Sequence, residues 1–237
     1  GPDIVVLQCR QRGRSHRIGT MPAPDTRRQP GAPAWFSAPQ GRLLLAAERR
    51  WVLQRLAERP VQPWLWLCPE APADWTPPPA RGLLLHGGTG AYLGSLRCGL
   101  PLPVASGCIA NVVVQHAPSP GLQPLLEECE RVLLEGGRLW LCTFNPCSPY
   151  RLRAGPAGLA ARPLTSWIRR LQALGLVAAA PPRCVGPRWF PRESAGNPAG
   201  GTASLRAGCV LEFEKRALAP VGPVPAGWRQ PGTAPAA

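Results

Sequence analysis

The chain has 237 residues, 45% of them hydrophobic, enough for one α/β domain with a substantial core. No apolar run approaches the roughly 18–20 residues of a membrane span, which excludes a transmembrane helix. The net charge of +14 admits RNA, DNA or an anionic surface as a partner, but Lys215 is the only lysine, and an arginine excess of this kind fits GC-rich coding equally well.

Met21 is the only methionine, so translation is expected to start there. Residues 1–20 then read as upstream read-through or appended sequence, and without their four arginines and one aspartate the net charge is +11. Residues 1–33 are expected to be disordered or non-native, 34–217 to form the domain, and 218–237 to be a disordered Pro/Gly/Ala tail.

Trp35 and Phe36 introduce a helical stretch. In Gly41–Glu58 the apolar Leu44, Leu45, Trp51, Val52 and Leu56 recur near helical spacing, and Glu48, Arg49, Arg50 and Arg55 are assigned to the polar side. Pro60 ends the helix. Pro63–Cys68 reads as the first strand, Gly82–Leu85 as the second, Ser95–Arg97 as a short third and Ile109–Val114 as the fourth. Pro124–Leu134 is the clearest helix, followed by Gly136-Gly137 and the strand Arg138–Phe144. That strand's dense apolar run implies cover on both faces. Thr165–Leu174 gives a further helix, Leu176–Ala180 a strand, and Cys209–Phe213 the last strand. The alternation predicts a Rossmann-like α/β fold: a three-layer sandwich with a mostly parallel, roughly seven-stranded sheet. Ligands in such sheets bind beyond the carboxyl ends of the strands.

The nine cysteines form no Cys-x-x-Cys pair and no zinc spacing. They are expected to be reduced thiols of a cytoplasmic protein, and no metal site is expected.

Three segments carry a resemblance. APAWFSAPQGRLLLAAERRWVLQRL (Ala32–Leu56), LPLPVASGCIANVVVQHAPSPGLQPLLEECERVLLEGGRLWLCTFNPCSPYRLR (Leu100–Arg153) and GCVLEFEKR (Gly208–Arg216) together resemble a group of bacterial class I S-adenosylmethionine-dependent methyltransferases, of the type 11-like kind. The LP turn, the strand ending in His116, the ERVL helix, the GG turn and the FNP-x-S loop occur in that group's order. The resemblance implies S-adenosylmethionine as cofactor and methyl transfer to an unknown acceptor. By position it implies cofactor contacts at Cys68, Glu70, His86, Gly87, Arg97, Cys98, His116 and Ala117, with Asn145 on the acceptor side.

The cofactor motif is degenerate. The loop Cys68-Pro69-Glu70-Ala71-Pro72 lacks the glycines that normally let the backbone approach the cofactor. Leu85-His86-Gly87 stands where an acid usually ends the second strand. Arg97 stands where an acid often meets the adenine, and a guanidinium cannot accept a hydrogen bond. If Gly82–Leu85 were instead the first strand, Gly87–Gly90 would supply the glycine loop, but too few residues would remain before Val112 for two crossovers. His116 reads either as a general base or as a packed or capping residue. The alternative to an active methyltransferase is a catalytically inactive scaffold of that fold, or a nucleic-acid-binding protein.

Overall fold

The computed structural model describes residues 34–87, 91–116, 122–148, 162–188 and 205–216. The expectations for residues 1–33 and 218–237, for the Gly88–Gly90 loop and for Ala117 fall outside that set.

Helix α1 (Ala34–Ser37) leads through Ala38, in an extended conformation, into α2 (Pro39–Ala57). There follow β1 (Trp64–Cys68), β2 (Gly82–Gly87), β3 (Tyr92–Gly94), β4 (Ile109–Gln115), α3 (Leu122–Val132) and β5 (Leu133–Phe144). The last described elements are α4 (Leu164–Ala173), β6 (Leu176–Ala178), β7 (Arg183–Arg188) and β8 (Arg206–Lys215). The strands form one 8-stranded sheet in the order β3-β2-β1-β4-β5-β8-β6, with β7 also on β8. The run 3-2-1-4-5 is that of a doubly wound sheet.

The sheet is mixed rather than mostly parallel. β1–β2, β1–β4 and β4–β5 run parallel, whereas β2–β3, β5–β8, β6–β8 and β7–β8 run antiparallel. Two causes account for this. β3 is a hairpin return from β2 rather than a strand reached by a crossover, and it lies at Tyr92–Gly94, so Ser95–Arg97 is the turn beyond it. The last strand, β8, inserts between β5 and β6 against their direction.

Alternation along the central strands builds the three layers. Leu65, Leu67, Val112, Val114, Leu139 and Leu141 face α3 and α4, meeting Leu125, Leu126, Cys129, Trp167 and Leu171. Trp64, Trp66, Cys68, Val113, Trp140 and Cys142 face the other way, toward Val52 of α2 and Trp75. Both faces being covered, β1, β4 and the end of β5 are buried without a break. Gly136 takes φ 75°, the left-handed conformation expected of it, but inside β5 rather than at the end of α3, where the pairing with β4 skips from Leu133 to Arg138.

The connections differ sharply between the two halves. β4 reaches β5 through α3, but the β1–β2 connection, residues 69–81, contains no helix, nor do the described residues between β3 and β4. Prolines at 69, 72, 77, 78 and 79 account for the first of these. Trp75 covers the sheet there instead, meeting Trp64 and Trp66 edge-on at 5.8 and 5.1 Å.

Candidate active site at the carboxyl end of the sheet

β1, β4 and β5 run parallel, so the residues that follow them emerge at one end of the sheet. Cys68 ends β1 and is buried, its thiol 3.6 Å from the Leu85 carbonyl. Burial pushes that thiol up to about 12, against a smaller pull from the Arg49 guanidinium. Glu70, two residues on, accepts a hydrogen bond from Ser37 Oγ at 3.2 Å, which links the loop after β1 to α1. His86 stands opposite Cys68 in register and is half-buried; Gly87 closes β2.

Arg97 and Cys98 follow the β3 return at the sheet's outer edge, where Arg97 is exposed and Cys98 bridges Tyr92, the residue paired with Gly87 at the carboxyl end of β2. The expectation of Arg97 at the end of a parallel third strand is corrected by the antiparallel hairpin that takes that strand's place.

His116 follows β4 at φ 48°, a left-handed conformation uncommon for a non-glycine residue. Its amide donates to the Cys142 carbonyl at 3.0 Å, continuing the β4–β5 ladder. Its ring lies 4.8 Å from Phe36 and 4.6 Å from Phe144, centroid to centroid. His116 Nε2 meets Glu48 Oε1 at 2.8 Å, and the two side chains are 1% and 0% exposed. Glu48 Oε2 accepts from Gln115 Nε2 at 3.0 Å, which also donates to the Leu45 carbonyl at 3.1 Å. Gln115 Oε1 accepts from Trp66 Nε1 at 2.8 Å. Four polar side chains from α2, β1 and the end of β4 thus satisfy one another inside the protein.

Glu48, expected on the polar side of α2, is instead fully buried at the centre of this network. Its position held the signal. Gly41, Leu44, Leu45, Glu48 and Val52 are the buried residues of α2, and they recur at helical spacing. A carboxylate on that stripe requires a partner, and His116 and Gln115 are its partners.

Asn145, after β5, is buried. Its Nδ2 donates to the Arg206 carbonyl at 2.9 Å, and its Oδ1 accepts from the Cys147 amide at 3.0 Å. The side chain therefore builds the turn that ends β5.

α1 roofs this end of the sheet. Phe36 is fully buried, stacks on Phe144 at 5.9 Å, and lies between Trp35 and His116. Gly41 permits the seat: a Cβ there would lie 2.2 Å from the Trp35 carbonyl oxygen and 2.6 Å from Phe36 Cα. No metal-binding group of three or more ligands occurs among the described residues, and no described helix is long and apolar enough to cross a membrane.

No family model and no curated protein matches the sequence. Solved structures do resemble the fold. A candidate methyltransferase of Haloferax volcanii, solved with the Trm112 methyltransferase activator, is similar over 78% of this chain and 98% of that one, at 14% identity and a TM-score of 0.49. A candidate S-adenosylmethionine-dependent methyltransferase of Listeria monocytogenes is similar over 73% of this chain and 99% of that one, at 11% identity and a TM-score of 0.48. A SAM-dependent methyltransferase of Archaeoglobus fulgidus is similar over 70% and 94%, at 11% identity and a TM-score of 0.46. The fold itself is a Rossmann-like α/β sandwich, by its 3-2-1-4-5 strand run and the helices on its sheet.

Proposed function

We propose that the chain binds S-adenosylmethionine at the carboxyl ends of β1, β2 and β4 and transfers its methyl group to an acceptor near His116 and Asn145. The observation that carries this reading is convergence. Glu70, His86 and the buried Glu48–His116 pair all gather at one end of the sheet, where the sequence resemblance expects cofactor and acceptor.

In this reading Glu70 is the side chain that meets the cofactor's ribose. The second strand offers no acid, but Glu70 brings a carboxylate to the loop after the adjacent strand. A carboxylate has about four lone-pair sites, and the Ser37 bond uses one of them. Glu70 can accept from a vicinal diol, and His86 stands across from Cys68, two residues before it. When bound, the cofactor supplies an electrophilic methyl group on a sulfonium.

The protein's own contribution is orientation and proton handling. In the tautomer that carries its proton on Nε2, His116 donates to Glu48 and its other ring nitrogen is left as the base for an acceptor's proton. Phe36 and Phe144 exclude water from the ring. Because the His116 side chain is 1% exposed, an acceptor reaches it only when α1 lifts from its seat.

A second reading, an inactive scaffold of the same fold, draws on the helix-free β1–β2 connection and on the self-satisfied Glu48–Gln115–Trp66 network. Incubation with methyl-labelled S-adenosylmethionine and fractionated cell extract separates the two. Label transferred to any fraction, and lost in Glu70→Ala, supports the enzyme; no label in any fraction supports the scaffold.

A further inference from the structure

Among the described residues eight cysteines are free thiols, and one pair of them is set apart by geometry. Cys184 of β7 and Cys209 of β8 stand directly opposite each other in antiparallel register. Their sulfurs lie 3.8 Å apart. Opposed antiparallel residues have Cα separations of about 4.5–5.5 Å, within the roughly 4.4–6.8 Å range that a disulfide spans.

We propose that Cys184 and Cys209 are a redox pair, which peroxide closes into a disulfide that ties β7 to β8 beside the Asn145 turn. The two strands are already paired, so closure needs only side-chain rotation. The partners differ in access: Cys184 is half-buried and Cys209 is buried. Burial, and then the neighbouring Cys184 sulfur, hold Cys209 as a thiol, so Cys184 meets the oxidant first. Its thiolate attacks one peroxide oxygen, giving a sulfenic acid and, with a proton, one water. Cys209 sulfur then attacks the sulfenic sulfur; the S–O bond breaks, the oxygen leaves as a second water carrying the Cys209 proton, and the S–S bond forms. Two thiols lose two electrons and peroxide gains them.

The consequence falls on the proposed acceptor side. Asn145 Nδ2 lies 3.9 Å from Cys184 Sγ, and closure draws that sulfur toward Cys209. The neighbouring Gly208 packs on Glu48, so β8 connects the pair to the buried network as well.

The test does not depend on methyl transfer. Folded protein is treated with hydrogen peroxide, alkylated, digested without reduction and mapped by mass spectrometry. The expected product is one cross-linked peptide pair joining Cys184 to Cys209, two hydrogens lighter than the separate peptides and undone by dithiothreitol. Cys147→Ser should leave that product intact, and Cys209→Ser should leave a dimedone-trappable sulfenic acid on Cys184. Cys184 recovered as a free thiol, or joined to the exposed Cys147 instead, overturns the proposal.

Discussion

Glu48 and His116 are 68 residues apart in sequence and 2.8 Å apart in the fold, both sealed from solvent. Truncating one member of such a pair strands the other. Glu48→Ala should lower unfolding free energy by about 3–5 kcal/mol, measured by urea denaturation. Glu48→Gln, which keeps an acceptor for Gln115, should cost less. A Glu48→Ala cost below ~1 kcal/mol would show that the network is not structurally coupled.

Gly41 lets α1 seat over His116. In Gly41→Ala the new methyl meets backbone at 2.2 and 2.6 Å, atoms that cannot rotate away. Alanine's better helix propensity, ~1 kcal/mol, works against an overpacking cost of about 1–3 kcal/mol, so the variant should be no more stable and α1 should lift. The readout is the rate at which diethyl pyrocarbonate modifies His116, expected to rise in the variant. An unchanged rate would mean that α1 is not the cover.

Buried neutral acids make the fold sensitive to alkali. Burial pushes Cys68 and Cys129 from the ordinary 9.0 to about 12, and Tyr92 from 10.0 to about 12. The folded values are raised, so the folded state favours the protonated forms. Their contribution is complete below pH 9 and is lost as pH climbs toward 12. Each such group adds up to ~1.4 kcal/mol per pH unit of slope. The thermal midpoint should therefore fall steeply across that window, and Cys129→Ala should flatten the slope. A midpoint that is level across the window would contradict it.

At the acid end, the Glu128–Arg131 pair acts in the opposite sense. Hydrogen bonding to Arg131 holds the Glu128 carboxyl below its ordinary value, and the Leu102 amide adds to this at 2.8 Å. A depressed folded pKa gives stability that is present above the unfolded value and lost as pH falls through the folded one. Arg131 also donates to the carbonyls of Leu102 and Val104, so the pair clamps the loop before β4. Glu128→Gln should destabilise the protein at neutral pH by an amount that shrinks as pH falls below the carboxylate range. A penalty independent of pH would argue against a charged interaction.

Much of the fold is legible because several elements carry strong local signals. α3 keeps its apolar residues on one stripe, and Gly136 sits where a left-handed turn is needed. β7 carries a weak local signal, since Gly186 and Pro187 both disfavour a regular strand; the fold absorbs them in a register shift between Val185 and Arg188. The third strand lies at Tyr92–Gly94 rather than Ser95–Arg97 because it returns as a hairpin on β2, a pairing that three residues signal only weakly. Glu48 was misjudged for a different reason. Its charge outweighed its place on the buried stripe, and the partner that justifies the burial lies across the sheet in β4, beyond any local window.

The central claim is tested most directly by calorimetric titration of the chain with S-adenosylhomocysteine, compared with Glu70→Ala. The account predicts one saturable site in the unaltered chain and at least tenfold weaker binding, about 1.4 kcal/mol, in the variant, with thermal stability unchanged. No heat of binding at millimolar ligand in the unaltered chain would contradict it.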